Sequence, residues 1–232
     1  MLFTDKLVVV TGGTGALGAA VVGALHGQGA QCIVPYRNDA EAQRFAYRDN
    51  KSVRLVAAGD LSDEAVVDGL YGGLSPWASI HIAGGFAAGS VEDTDKNALM
   101  KQIDGNLVSC FLCCRAAVKA IKAAGRGGRI VNVAARPALE PRTGAGMSAY
   151  TIAKSGVATL SIALAEEVAK DGILVNAVAP SIMDTPANRK GMPTANFDKW
   201  PKVEEVAATI VFLASPDNAV TRSGVVPVYG KS

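Results

Sequence analysis

The stretch Leu7-Val8-Val9-Val10-Thr11-Gly12-Gly13-Thr14-Gly15-Ala16-Leu17-Gly18 decides the fold. Residues 7–10 are a short β-branched run, the mark of a buried parallel strand. Residues 16–28 read as a helix of small and apolar side chains closed by Gly29. Between the two, glycines let the backbone turn tightly and approach a pyrophosphate, which the positive N-terminus of the helix attracts. A glycine-rich string alone is a weak signal. Placed between a first strand and a first helix, it predicts a dinucleotide cradle. Gly12, Thr14, Gly15, Ala16, Leu17 and Gly18 are its candidate contacts.

The alternation continues outward. Further strands are expected at 32–35, 53–56, 79–83, 129–133, 174–178 and 225–228, and helices at 41–49, 63–69, 96–124, 148–170 and 204–214. Short apolar strands alternating with helices predict an α/β chain with a doubly wound parallel sheet, a Rossmann fold. No break in composition divides the chain, so 1–232 is expected to be a single domain. The long irregular segment after Pro180 has a length at which loops carry function, and 181–201 is expected to be the substrate loop.

Composition narrows the classes. Hydrophobic residues make up 49% and charged residues 19%, enough for a core and too apolar for a disordered chain. Lys and Arg number 23 against 21 Asp and Glu, with no basic stripe, so no nucleic-acid or membrane-surface partner is expected. No apolar run reaches the ~18–20 residues of a membrane span. The start, MLFTDKLVVVTGG, runs directly into the first strand, so no signal peptide is expected. Cys32 stands alone, and Cys110, Cys113 and Cys114 share one helical stretch far in sequence from His26 and His81. These read as packing thiols, with no metal, in a reducing and therefore cytoplasmic compartment.

About 20 residues beyond the glycine turn, dinucleotide folds place an Asp or Glu on the adenosine ribose. Here the second strand ends in Pro35-Tyr36-Arg37-Asn38. No carboxylate stands there, and Arg37 can face a 2′-phosphate through charge-assisted hydrogen bonds. Tyr36 and Arg37 therefore join the candidate contacts, and NADP(H) is favoured, with NAD(H) as the alternative.

Tyr150-Thr151-Ile152-Ala153-Lys154 places a phenol and an ammonium four residues apart on one helix face. With the glycine turn upstream, the chain resembles the short-chain dehydrogenase/reductase family along essentially its whole length. Thr11–Gly18 resembles the family's T-G-x-x-x-(G/A)-x-G. Asp60-Leu61 stands where the family has an Asp and an apolar residue near adenine. His81-Ile82-Ala83-Gly84 stands in place of N-N-A-G, Asn106 at the family's Asn, and Pro180 to Thr185 resembles P-G-x-x-x-T. The resemblance implies a catalytic set of Tyr150, Lys154 and Asn106. It also implies cofactor contacts at Asp60, Leu61, Ala83, Gly84, Gly85, Tyr150, Lys154, Pro180, Met183 and Thr185. In the family Tyr is the general acid of reduction and the base of oxidation. A free phenol titrates near ~10, and a nearby ammonium would lower it. Asn106 would hold a water linking Lys154 to solvent.

Two departures bear on the substrate. The family's serine after the fifth strand is absent, and Ala134 and Ala135 occupy the pair, with Thr143 and Ser148 the nearest hydroxyls downstream. The stretch 183–193 with Phe197 and Trp200, and the Ala83-Gly84-Gly85-Phe86 turn, are similar to dihydropteridine reductases, which also lack the serine and reduce a quinonoid C=N. The leading expectation is an enzyme moving hydride between nicotinamide and a small carbonyl, alcohol or quinonoid compound. The alternative from another class is a non-catalytic NADP(H) sensor. His81 is expected to pack toward the adenine side, and Arg136, Arg142, Arg189 and Lys190 to form a solvated rim. Apolar residues on more than one face of 107–121 and 157–168 predict a homodimer or homotetramer.

Overall fold

The computed structural model describes residues 1–232. In chain order the elements are β1 (Leu7–Thr11), α1 (Ala16–Gly27), β2 (Gln31–Tyr36), α2 (Asp39–Arg44), β3 (Val53–Ala57), α3 (Glu64–Tyr71), β4 (Ala78–His81) and α4 (Lys96–Gln102). They continue with α5 (Ser109–Ala124), β5 (Gly128–Val133), α6 (Arg136–Leu139), α7 (Ser148–Glu167), β6 (Ile173–Pro180), α8 (Pro186–Gly191), α9 (Val203–Ala214) and β7 (Val225–Val228). All seven strands pair in parallel in the order β3-β2-β1-β4-β5-β6-β7. The doubly wound sheet expected from the alternation is the sheet observed.

The two-residue period of a strand sends alternate side chains to opposite faces. Val8 and Val10 join Leu17, Val21 and Leu25 of α1 and Val206 and Ile210 of α9 in one core. Val9 points the other way, into a core with Val67 and Leu70 of α3, Ala117 and Ile121 of α5, and Val157 of α7. Both faces are covered, which is why the strands read as continuous apolar runs.

Strand order reverses between β1 and β4, and ligands of such sheets bind outside the strand C-termini at that point. Thr11 fixes the crevice there. Its carbonyl accepts from Ile82 N at 3.1 Å, and its hydroxyl accepts from Ala83 N at 3.3 Å.

Several boundaries differ from expectation. The helix expected over 41–49 covers Asp39–Arg44, because Asn38 caps its start and Phe45 turns extended to bury its ring. The strand expected over 79–83 is Ala78–His81, and that over 174–178 extends to Ile173–Pro180. The helix expected over 148–170 ends at Glu167, followed by a 3₁₀ turn, Ala169–Asp171. The single helix expected over 96–124 is interrupted by a π-helical segment, Ile103–Val108. The irregular segment expected over 180–201 contains α8 and a 3₁₀ turn, Phe197–Lys199. No helix is long and apolar enough to cross a membrane.

Candidate active site

The glycine turn makes a cradle that only glycine permits. Gly12 has φ +68°, and a Cβ there would stand 2.6 Å from Ala83 N. A Cβ at Gly18 would come within 2.1 Å of the Gly12 carbonyl oxygen. Gly15, the N-cap of α1, receives no side-chain cap, and no acidic residue occupies the first turn. The helix therefore presents uncapped N–H groups to the crevice, a ready partner for a phosphate. Thr14, Gly15 and Ala16 line this turn, while Leu17 is buried as an anchor in the core.

Beside β2 the structure adds a residue that the sequence pattern missed. Glu41, on α2, reaches back so that its Oε2 accepts from Arg37 N at 3.3 Å and lies 3.5 Å from Thr14 Oγ1. Its Oε1 accepts from Asn38 Nδ2 at 2.8 Å. The expectation that no carboxylate stands at this end is thus corrected. The usual position is the strand terminus, and here the carboxylate comes from the next helix. The signal was the Asn38-to-Glu41 spacing, a capping pair. Asp60 accepts from the backbone N–H and hydroxyl of Ser62. Those bonds, with a smaller contribution from the Arg37 charge, hold its carboxyl below the usual range.

The other end of the crevice is packed and buried. Asn106 sits in the π-helical segment, a distortion frequent at functional sites. Its Nδ2 donates to the Gly85 and Gln102 carbonyls at 3.0 Å each, and its Oδ1 accepts from Gly85 N at 3.2 Å. The side chain thus pins the turn after β4, and a Cβ on Gly84 would collide with it at 2.4 Å. Lys154, buried, donates to the Val133 carbonyl at 2.8 Å, and Asn106 and Lys154 both border Gly84. Burial pushes the Lys154 ammonium down to about 8, with Cys110 pulling the other way.

Lys154 Nζ lies 5.9 Å from the Tyr150 ring centroid. In place of the lowering expected from that ammonium, burial pushes the Tyr150 phenol up to about 12. Phe86 packs edge-on against Tyr150 at 5.1 Å and is itself 62% exposed. The loop carrying Phe86 is held to the segment before Tyr150 by Gly89 N donating to the Gly146 carbonyl.

After β5, Ala134 and Ala135 are buried and form an apolar floor. The Thr143 hydroxyl donates to the Glu140 carbonyl, and Ser148 opens α7. Thr185 is buried, and its hydroxyl caps α8 by accepting from Asn188 N at 3.1 Å. Pro180 ends β6, and the Met183 carbonyl accepts from Asn188 Nδ2.

Of the four rim cations, Arg142 and Lys190 are exposed as expected, and two are paired. Arg189 forms two hydrogen bonds to Asp184 and lies over Phe197, while Arg136 pairs with Glu140 and lies over Tyr229. Phe197 and Trp200 pack on each other at 5.0 Å.

His81 departs furthest from expectation. It does not pack toward adenine but is 3% exposed, inside the core between Ser79, Asn132 and Cys114. The distance in sequence between histidine and cysteine vanishes where α5 crosses β4. All four cysteines are buried free thiols. The thiol of Cys110 is lowered by its hydrogen bond with Cys114, whose own is pushed up by the same bond.

Residues 6–196 match the family model described as short chain dehydrogenase. Galactitol 2-dehydrogenase of Rhizobium johnstonii is 32% identical over 240 residues, covering 95% of this chain and 92% of that protein. A subunit of (2S)-[(R)-hydroxy(phenyl)methyl]succinyl-CoA dehydrogenase from Thauera aromatica is 30% identical, covering 97% of this chain and 96% of that one. Among solved structures, a short chain dehydrogenase/reductase family protein superimposes with a TM-score of 0.90 at 26% identity, over 98% of this chain and 97% of that one.

Proposed function

This chain belongs to the short-chain dehydrogenase/reductase family of NAD(P)-dependent oxidoreductases, and from that premise we propose that it reduces a small carbonyl or quinonoid substrate with Tyr150 as the proton donor. The observation that carries this reading is the convergence of Tyr150, Lys154 and Asn106 on the turn after β4, next to a tight glycine turn at the uncapped start of α1. A bound nicotinamide dinucleotide supplies or accepts the hydride.

The residues divide the remaining work. The uncapped start of α1, with Gly12, Thr14 and Gly15 in the turn before it, would hold the pyrophosphate. Tyr36, Arg37, Asp60 and Leu61 border the adenosine, while Ala83, Gly84, Gly85, Pro180, Met183 and Thr185 border the nicotinamide half. Arg37 favours NADP(H), and Glu41 beside it keeps NAD(H) as an alternative. Lys154, anchored on the Val133 carbonyl, would hydrogen-bond the nicotinamide ribose. Tyr150 holds its proton throughout neutral pH, the state required of an acid in reduction.

The missing serine leaves the substrate oxygen without its usual donor, since Ala134 and Ala135 supply only methyl groups. This favours an acceptor that needs little polarisation. The test is oxidation of NADPH and NADH with ketone, quinone and quinonoid pterin panels, on the wild type and on Ala135→Ser. Turnover of quinones or quinonoid pterins with little gain in Ala135→Ser supports the unusual-acceptor reading. A ketone-specific gain approaching the ~10²-fold value of a positioned donor overturns that part. Cofactor binding without turnover of any panel member would favour the sensor. The segment 181–201 serves as the substrate loop, and exposed Phe111, Ile152 and Ile162 on α5 and α7 favour a homodimer or homotetramer, which light scattering tests.

A further inference from the structure

We propose that His81, Cys110 and Cys114, with Asn132 at the fourth corner, form a buried binding site for a thiophilic divalent cation of the zinc class. Cys110 and Cys114 lie one turn apart on the face of α5 that crosses the sheet, so both sulfurs aim at the same place. His81 ends β4, directly across from Asn132 of β5 in the strand register. The His81 nitrogen and the two sulfurs all lie within 4.8 Å of one another. Cys114 Sγ is 3.4 Å from His81 Nδ1 and 3.4 Å from Asn132 Oδ1, and those two atoms are 2.8 Å apart. Tetrahedral zinc, with bonds of about 2.3 Å to sulfur and 2.0–2.1 Å to nitrogen, holds its ligands roughly 3.4–3.8 Å apart. To meet that spacing the His81–Asn132 contact opens from 2.8 Å, and the ligand atoms, within 4.8 Å of one another, close by at most about 1 Å.

The ligands are braced from behind, as ligating side chains generally are. His81 Nε2 lies 2.8 Å from Ser79 Oγ, which is 2.6 Å from the Tyr71 hydroxyl. Asn132 Nδ2 donates to Ser161 Oγ at 2.9 Å, which turns its carbonyl oxygen toward the cluster. The donor set is sulfur and imidazole with one carbonyl and no carboxylate, which selects zinc over magnesium or calcium. The charges also suit a dry interior. Two thiols lose their protons to solvent, two thiolates cancel one divalent charge, and the imidazole stays neutral by carrying its proton on Nε2 toward Ser79. The ion joins α5 to β4 and β5, the elements that lead to Asn106 and Lys154.

The experiment uses the reduced full chain, freed of metal by a chelator and incubated with zinc or cadmium chloride alone. The expected result is one ion per chain retained through gel filtration, an ultraviolet thiolate-to-cadmium absorption, and a melting temperature raised by zinc. Cys32→Ser and Cys113→Ser should retain all three signals, and Cys110→Ser and Cys114→Ser should lose them. Should either of the latter fail to fold, His81→Asn keeps a polar side chain there and should weaken retention at least tenfold. No ion on the wild type, or retention undiminished in Cys110→Ser, Cys114→Ser and His81→Asn, overturns the site.

Discussion

Beside β2 the cradle meets solvent, and its chemistry is carried by Arg37, Glu41 and Asn38, where Glu41 accepts from Arg37 N, Asn38 Nδ2 and the Thr14 hydroxyl. Beside β5 it is closed. Asn106 and Lys154 are buried, their hydrogen bonds go to backbone groups and, for Asn106, also to the Gln102 side-chain oxygen at 3.5 Å, and Tyr150 is desolvated. Changes at the open end act through screened charges and should be graded. Changes at the closed end disturb groups with no solvent to replace a lost partner, and should be steep.

The steepest effect is expected at Tyr150. Tyr150→Phe removes the proton donor but keeps the ring against Phe86. Turnover should fall by about 10²–10⁴-fold. Cofactor affinity, read by fluorescence titration, should change little, because the glycine turn and Lys154 remain. Turnover within threefold of wild type would remove Tyr150 from its role and erase the contrast between the two ends.

Lys154 sharpens the contrast through pH. In the folded chain its ammonium loses its proton near 8, against 10.5 for an ordinary lysine. Between those values the unfolded chain holds the extra proton, so this group makes stability rise as pH rises through the window. Lys154→Met has no proton to lose. The melting-temperature advantage of Lys154→Met over wild type, measured by calorimetry, should therefore shrink by a few degrees from pH 8 to 10.5. An advantage that stays constant over that range would show that burial does not depress this lysine.

Arg37→Asp is the first test of the open end. It exchanges a phosphate partner for a ribose acceptor and should move preference from NADPH toward NADH. The ratio of the two kcat/KM values should change by about tenfold, the order of a charge-assisted hydrogen bond. A wild type that already uses both cofactors equally would refute the role given to Arg37.

The same contrast explains what could be read before the structure. The sheet was legible because strands buried on both faces leave unbroken apolar runs, and the glycine turn because close backbone approach tolerates no other residue. Tyr150 and Lys154 were legible from a local spacing on one helix. Three features were not. The π-helical segment at Asn106 depends on packing against the turn after β4, which no local pattern encodes. The contact of His81 with Cys114 spans 33 residues and needs the crossing of α5 over the sheet. Glu41 sits on a helix rather than at the strand end where such a carboxylate is expected, and it reaches the cradle because Asn38 caps that helix.

Glu41 therefore gives the smallest expected effect and the one most specific to this chain. Its carboxylate lies 3.5 Å from the Thr14 hydroxyl and takes the Arg37 N–H, so a phosphate arriving beside Arg37 meets a like charge at the same edge. Glu41→Gln removes the charge and keeps one of the two oxygens, which can still accept from Arg37 N while the contact with Asn38 Nδ2 is given up. NADPH should then bind a few-fold more tightly, in keeping with the ~0.2–1 kcal/mol of charge pairs near a surface. NADH, which lacks the phosphate, should be nearly unaffected or slightly weakened. The gain for NADPH should shrink as salt is raised, because the repulsion it relieves is open to solvent. Equal changes for both cofactors would mean that Glu41 acts on the shape of the turn alone, and the open end would then be governed by packing in the same way as the closed one.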